Sequence, residues 1–186
     1  MGTIMKFIRP AAISFALFTV LLGVAYTGAI TGISGLLLSD SANGTVITLK
    51  TKDGETIAYG SALLAQEFTK PEYLIGRPSG VTNLSPTGSR ERELVAERVE
   101  AWHALEPDNR MPIPVDLVTA SGSGADPYIS PEGAEYQVAR IARTRGISKD
   151  AVLQAIKQNT TGRFLGVFGE ARVNVLRVNL TLDGLL

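Results

Sequence analysis

The sequence has no cysteine, one histidine and one tryptophan among 186 residues. Without cysteine there can be no disulfide, no thiolate metal site and no cysteine nucleophile. The single histidine, His103, falls in a helical stretch with no candidate serine beside it, so a Ser-His-Asp site would have to be assembled wholly by folding. Metal ligation would rest on carboxylates, and no Asp/Glu cluster has calcium-loop spacing, so neither a catalytic nor a metal site is expected. Charge is missing from one long stretch as well: the thirty residues Pro10–Ser39 contain no Asp, Glu, Lys or Arg. Beyond it, setting aside Lys6 and Arg9, 16 basic residues face 18 acidic ones, a balance of −2 with no footprint for nucleic acid.

The uncharged stretch divides the chain. As a helix, thirty residues reach about 45 Å, against a hydrocarbon core of about 30 Å. A signal peptide has an apolar region of only about 7 to 15 residues and a small-x-small cleavage site. The run here is longer, and Thr27-Gly28-Ala29 is a poor cleavage signal. The reading is therefore a cytoplasmic tail over residues 1–9, a transmembrane helix over 10–38 and an extracytoplasmic domain over 39–186. Lys6, Arg9 and the amino terminus set that orientation by the positive-inside bias. Gly28 and Gly32 form a small-xxx-small pair that strips one helix face of bulk and lets a partner helix approach, so they are the expected partner-binding residues in the membrane.

The remaining 147 residues are enough for one domain with a core. Gly44–Leu49 and Glu55–Tyr59 predict a hairpin turning at Lys52-Asp53-Gly54. Ala62–Ala65 is a third strand or a buried helical turn, and Tyr73–Pro86 is loop. Ser89 begins a helix with Glu93 in reach of its open amides and Val95, Val99 and Trp102 on one face. Val115–Thr119 reads as a strand. Ser130-Pro131 starts a helix that Gly146 stops, and Ser148 caps the next. Arg172–Leu182 reads as a last strand, because Leu176, Val178, Leu180 and Leu182 alternate with polar residues. The fold class expected is an α+β soluble domain anchored by one N-terminal transmembrane helix.

Chemistry concentrates in Val118–Pro131, between the expected strand and helix. Its glycines allow amides to converge, and a helix start favours an anion. It lacks the lysine of a Walker A loop and the spacing of a dinucleotide fingerprint. Ser121, Ser123 and Asp126 are the candidates for cofactor binding; equally, they satisfy local amides in a structural crossover. Gly162-Arg163 and Gly166–Gly169 resemble turns, and Arg77 and Arg163 are further residues that could meet an anion. An envelope hydrolase using Ser121 or Ser123, and a secreted binding protein cleaved after about residue 29, are the alternatives from other classes.

Several patches together carry a resemblance: Ala42-Asn43-Gly44, Gly60-Ser61-Ala62-Leu63, Gln66 with Phe68, Gly76-Arg77-Pro78-Ser79, Thr119–Pro131, Gln137, Arg140, Gly169–Val175 and Asn179-Leu180. In this combination the chain resembles the C subunit of the Kdp potassium-transporting ATPase, from the anchor to the carboxyl end. The resemblance implies a single-pass subunit of a bacterial inner-membrane complex for potassium uptake, with three partners. They are a channel-like potassium-translocating subunit, a P-type ATPase subunit and a small single-span subunit. The chain has neither a Thr-Val-Gly-Tyr-Gly filter nor an Asp-Lys-Thr-Gly-Thr phosphorylation motif, so it is expected to be an accessory and assembly subunit without a catalytic role or a cofactor of its own. ATP enters as implied by the family: the alternative role is a catalytic chaperone that raises the ATP affinity of the P-type subunit. A domain outside the membrane could do so only indirectly.

Overall fold

The computed structural model describes residues 2–50, 53–81 and 83–186, and divides the chain into two units meeting at Thr45 and Val46. The first is a run of helix. Helix α1 (Gly2–Phe18) passes into a π-helical stretch (Thr19–Tyr26) and on into α2 (Thr27–Leu37), with helical dihedrals at both junctions. The Thr19 hydroxyl donates to the Phe15 carbonyl at 2.8 Å, and that of Thr27 to the Leu22 carbonyl five residues back, also at 2.8 Å. These two hydroxyls are thus absorbed by the backbone. None of the apolar side chains between Phe7 and Leu38 is buried, and a Cβ added at Gly28 or Gly32 would meet nothing within 4 Å. Helix α3 (Ser39–Ala42) follows and closes with Gly44 and Thr45 at positive φ.

The second unit starts with the expected hairpin. Strands β1 (Val46–Lys50) and β2 (Thr56–Ser61) pair antiparallel from Val46 opposite Ser61 to Lys50 opposite Thr56, with a slip between Ile47 and Thr48. Gly54 takes φ +83° in the turn, while Lys52 lies outside the described residues. The Ala62–Ala65 stretch is neither strand nor buried helix: Ala62 is buried in a turn that leaves Leu63 and Leu64 exposed.

Helix α4 (Ser89–Leu105) lays Val95, Val99 and Trp102 on the core as its spacing predicts. Glu93 does not reach the first-turn amides; it pairs with Arg90 at 3.2 Å. Ser130 caps α5 (Pro131–Tyr136) by accepting from the Gly133 amide at 2.9 Å, with Pro131 in the first turn. The helix breaks at Gln137 and resumes as α6 (Val138–Arg145), which Gly146 ends at φ +66°. Ser148 caps α7 (Lys149–Gln158) through the Ala151 amide at 3.1 Å. Val138, Ile141, Val152, Ala155 and Ile156 are buried in one cluster with Trp102, Tyr136 and Leu74.

Two expected strands are corrected. Val115–Thr119 contains a 3₁₀ turn (Val115–Leu117) following Pro114. Of Arg172–Leu182 only Arg172–Asn174 is strand, β5, the centre of a small antiparallel sheet between β3 (Tyr128–Ile129) and β4 (Thr160–Thr161). Val175–Leu182 is a helix, α8, begun by the Asn174 side chain accepting from the Arg177 amide at 3.0 Å. The apolar residues also fit helical spacing. Leu176 and Leu180, four apart, pack toward Ile47 and Ala62, whereas Val175, Val178 and Leu182 pack on the main cluster. Helices with two small antiparallel sheets make the described part of this unit α+β.

Candidate functional site

Between β2 and α4 the chain crosses the core without regular structure, and a set of polar side chains holds it. Leu74 is fully buried on this strap. Its backbone would be orphaned in a dry core but for Asn179 of α8, whose side-chain oxygen accepts from the Leu74 amide at 2.8 Å while its nitrogen donates to the Leu74 carbonyl at 2.9 Å. Gln137 does the same for Ile75, at 2.9 Å in both directions. Two side-chain amides thus stand in for a neighbouring strand. Arg140 extends the bracing: its guanidinium donates to the carbonyls of Pro71 and Tyr73, to the Gln137 side-chain oxygen at 2.6 Å and to Glu106 at 3.1 Å. Arg140 and Glu106 are 1 % and 3 % exposed, so neither charge is served by water. Burial lowers the Arg140 pKa and the Glu106 carboxylate opposes that shift; the ion pair and three further oxygen acceptors favour the charged guanidinium. At the outer end Arg145 ties the Glu72 and Leu182 carbonyls to the Asp183 carboxylate.

The candidate loop Ser121–Tyr128 is fastened to the other end of the strap. Arg77 donates to the carbonyls of Thr119 and Ala120 at 3.3 and 3.2 Å, and its guanidinium lies 3.6 Å from Asp126. Gly124 sits at φ +68° against the strap, where a Cβ would approach Val81 to 2.7 Å. The Ser121 hydroxyl accepts from the Gly124 amide at 3.0 Å, that of Ser123 from the Ala125 amide at 3.3 Å, and the Asp126 carboxylate from the Tyr128 amide at 3.0 Å. The two hydroxyls lie 3.2 Å apart, while His103 is exposed on α4. Asp116, which the sequence did not single out, accepts from the Ser130 amide at 2.6 Å and the Ser130 hydroxyl at 3.1 Å.

Three of the amides a cradle would need are spent on the loop's own oxygens, and the helix start beyond it already faces the Asp116 carboxylate. Among the described residues no group of three or more His, Asp or Glu side chains could hold a metal ion.

Beside the loop lies an open cleft of about 570 Å³, floored by Phe68, Ile75, Trp102 and Leu117 and edged by Arg77 and Arg98. Arg98 donates to the Val118 carbonyl at 2.9 Å, and the Trp102 indole to the Leu117 carbonyl at 3.0 Å. The cleft thus offers apolar surface and cations that already hold backbone. Gly28 and Gly32 lie on α2, in the first unit.

Five of the residues that carry the resemblance prove to be bracing: Arg77, Gln137, Arg140, Asn174 and Asn179. Asn174 also donates from its side chain to the Ala62 carbonyl at 2.9 Å. Comparison with known proteins agrees. Residues 8–184 match the model of the KdpC family, described as the K+-transporting ATPase, c chain. The potassium-transporting ATPase KdpC subunit of Listeria welshimeri is 50 % identical over 188 residues, covering 100 % of this chain and 99 % of the relative. That of Dechloromonas aromatica is 45 % identical, covering 95 % and 96 %, and that of Clostridium perfringens 44 %, covering 98 % and 99 %. With its internal braces in place and its whole length matched, this chain belongs to the KdpC family.

Proposed function

We propose that this chain is the membrane-anchored accessory subunit of a potassium-transporting ATPase. Residues 10–38 span the bacterial inner membrane once, residues 1–9 stay in the cytoplasm, and the domain over 39–186 works outside. It assembles with a channel-like potassium-translocating subunit, a P-type ATPase subunit and a small single-span subunit, which carry the ion and the catalysis. Its own domain stabilises the complex and takes no chemical step.

One observation carries the reading. Lys6–Leu37 is 32 residues of apolar helix, long enough to cross a membrane, with none of it buried by the rest of the chain. At 1.5 Å per residue it measures about 48 Å, more than a core of about 30 Å requires. Lipid and the helices of other subunits are the environments that cover such a surface. The open Gly28 and Gly32 face supports close helix contact. The internal use of Ser121, Ser123 and Asp126 supports a role in holding structure over one in binding nucleotide, so any effect on the pump's ATP affinity passes through the contacts of the anchor.

The test is co-purification. Gly28→Leu with Gly32→Leu releases the chain from its partners and abolishes growth at limiting potassium, while the domain keeps its thermal unfolding transition. Retention of the double variant in an intact complex would count against the anchor as the clamp.

A further inference from the structure

Four exposed large apolar side chains that the domain's own core does not use sit together on a hairpin tip, Phe164-Leu165-Gly166-Val167-Phe168. Phe164, Leu165, Val167 and Phe168 are 70 %, 75 %, 71 % and 65 % exposed. The tip is closed by its own backbone: the Phe164 amide donates to the Phe168 carbonyl at 2.8 Å, and the Phe168 amide returns the bond at 2.9 Å. Leu165 stands at φ +53°, a conformation that a branched apolar residue rarely adopts, and Gly166 follows at +75°. The fold therefore holds a large apolar side chain outward in a disfavoured backbone state, with no burial in return.

We propose that this tip is a second membrane contact, seated in the interfacial layer of the bilayer that the amino-terminal helix spans. The inference rests on the anchoring reading above. Its occupant is lipid on three grounds. From Phe164 to Gly169 no side chain can donate or accept a hydrogen bond, so the tip offers a fluid apolar layer everything it needs, and a protein socket nothing to set a register. The only charges from Ala151 to Gly169 are Lys157 and Arg163, both basic and exposed, which complement anionic headgroups. Eight residues, Leu38–Thr45, join the apolar helix to β1, a link that extends at most about 30 Å at the usual rise per residue. A tether that short gives the tip a high effective concentration at the surface, so a contact too weak to recruit a free protein is still populated.

The experiment uses the full chain, reconstituted in vesicles of phosphatidylcholine and phosphatidylglycerol. Since the sequence has no cysteine, one environment-sensitive fluorophore is placed at Leu165→Cys, at Glu97→Cys on α4 or at Ala16→Cys in the apolar helix. Nitroxide lipids, labelled near the headgroup or deep in the chain, report depth. The Leu165 probe is quenched several-fold more than the Glu97 probe by the shallow nitroxide, and Phe164→Asp with Phe168→Asp removes that quenching without moving the unfolding midpoint. A quenched Ala16 probe beside an unquenched Leu165 probe in water would overturn the second contact and leave the anchor standing. If neither is quenched, the anchor falls and the proposal with it. A Leu165 probe shielded from water but untouched by nitroxide would mean that a second copy covers the tip, and would overturn the assignment to lipid.

Discussion

The helix ahead of Thr45 and the domain after it solve the same problem in opposite ways. Away from its ends a helix serves its backbone groups within the segment, and the side chains have nothing left to do but meet an apolar surrounding. In the domain a strap without strand pairing runs through the core, and its amides and carbonyls are served by Asn179 of α8, Arg140 of α6 and Gln137 at the break between α5 and α6. The difference shows where specificity lies. An apolar helix commits to an environment and little else, whereas a buried polar brace commits to one partner atom at one distance.

Breaking the brace should cost far more than any surface change. Arg140→Met leaves Glu106 charged and buried with Asn109 as its remaining side-chain partner. It should cost about 3 to 5 kcal/mol in denaturant unfolding, as removal of one member of a buried pair does. Asn179→Leu keeps the branched shape but strands both polar groups of Leu74, and should cost about 2 to 6 kcal/mol, at about 1 to 3 kcal/mol per orphaned group.

The smallest effect has the opposite sign. The Tyr136 hydroxyl is buried and has no hydrogen-bond partner among the described residues, so Tyr136→Phe should gain about 1 kcal/mol. Burial, and after it the Glu106 carboxylate, raise the Tyr136 pKa above its ordinary value near 10. The folded state then holds this proton more tightly than the unfolded one. The contribution of this group to stability is flat below about pH 10 and falls as pH rises past it. Tyr73 is raised too, by burial and Asp183, so the phenylalanine variant removes only part of the alkaline loss. Unfolding midpoints between pH 8 and pH 11 check both claims.

The elements with local signals were legible: the Asp53-Gly54 hairpin, the Ser130-Pro131 and Ser148 caps, and the Gly146 stop. The failures came where two periods fitted one stretch. Leu176, Val178, Leu180 and Leu182 alternate as a strand does, yet Leu176 and Leu180 also sit four apart; the cap from Asn174 and a core on two sides decided for helix. Val115–Thr119 was apolar enough for a strand, but the prolines before it set up a tight turn that Asp116 ties to Ser130. In Ser121–Tyr128 composition could not show that the Gly124, Ala125 and Tyr128 amides are taken by the loop's own side-chain oxygens. The braces were visible only as scattered Gln, Arg and Asn residues, since their partners lie as many as 112 positions away in the chain.

The account turns on which side of the membrane the domain occupies. Ser123 is exposed, and in a cysteine-free chain Ser123→Cys is a unique target for a membrane-impermeant thiol reagent. Labelling in intact spheroplasts, unchanged by lysis, is the predicted result and leaves assembly of the complex as the domain's work. Labelling only after lysis would contradict it, placing the domain on the cytoplasmic side with the pump's nucleotide.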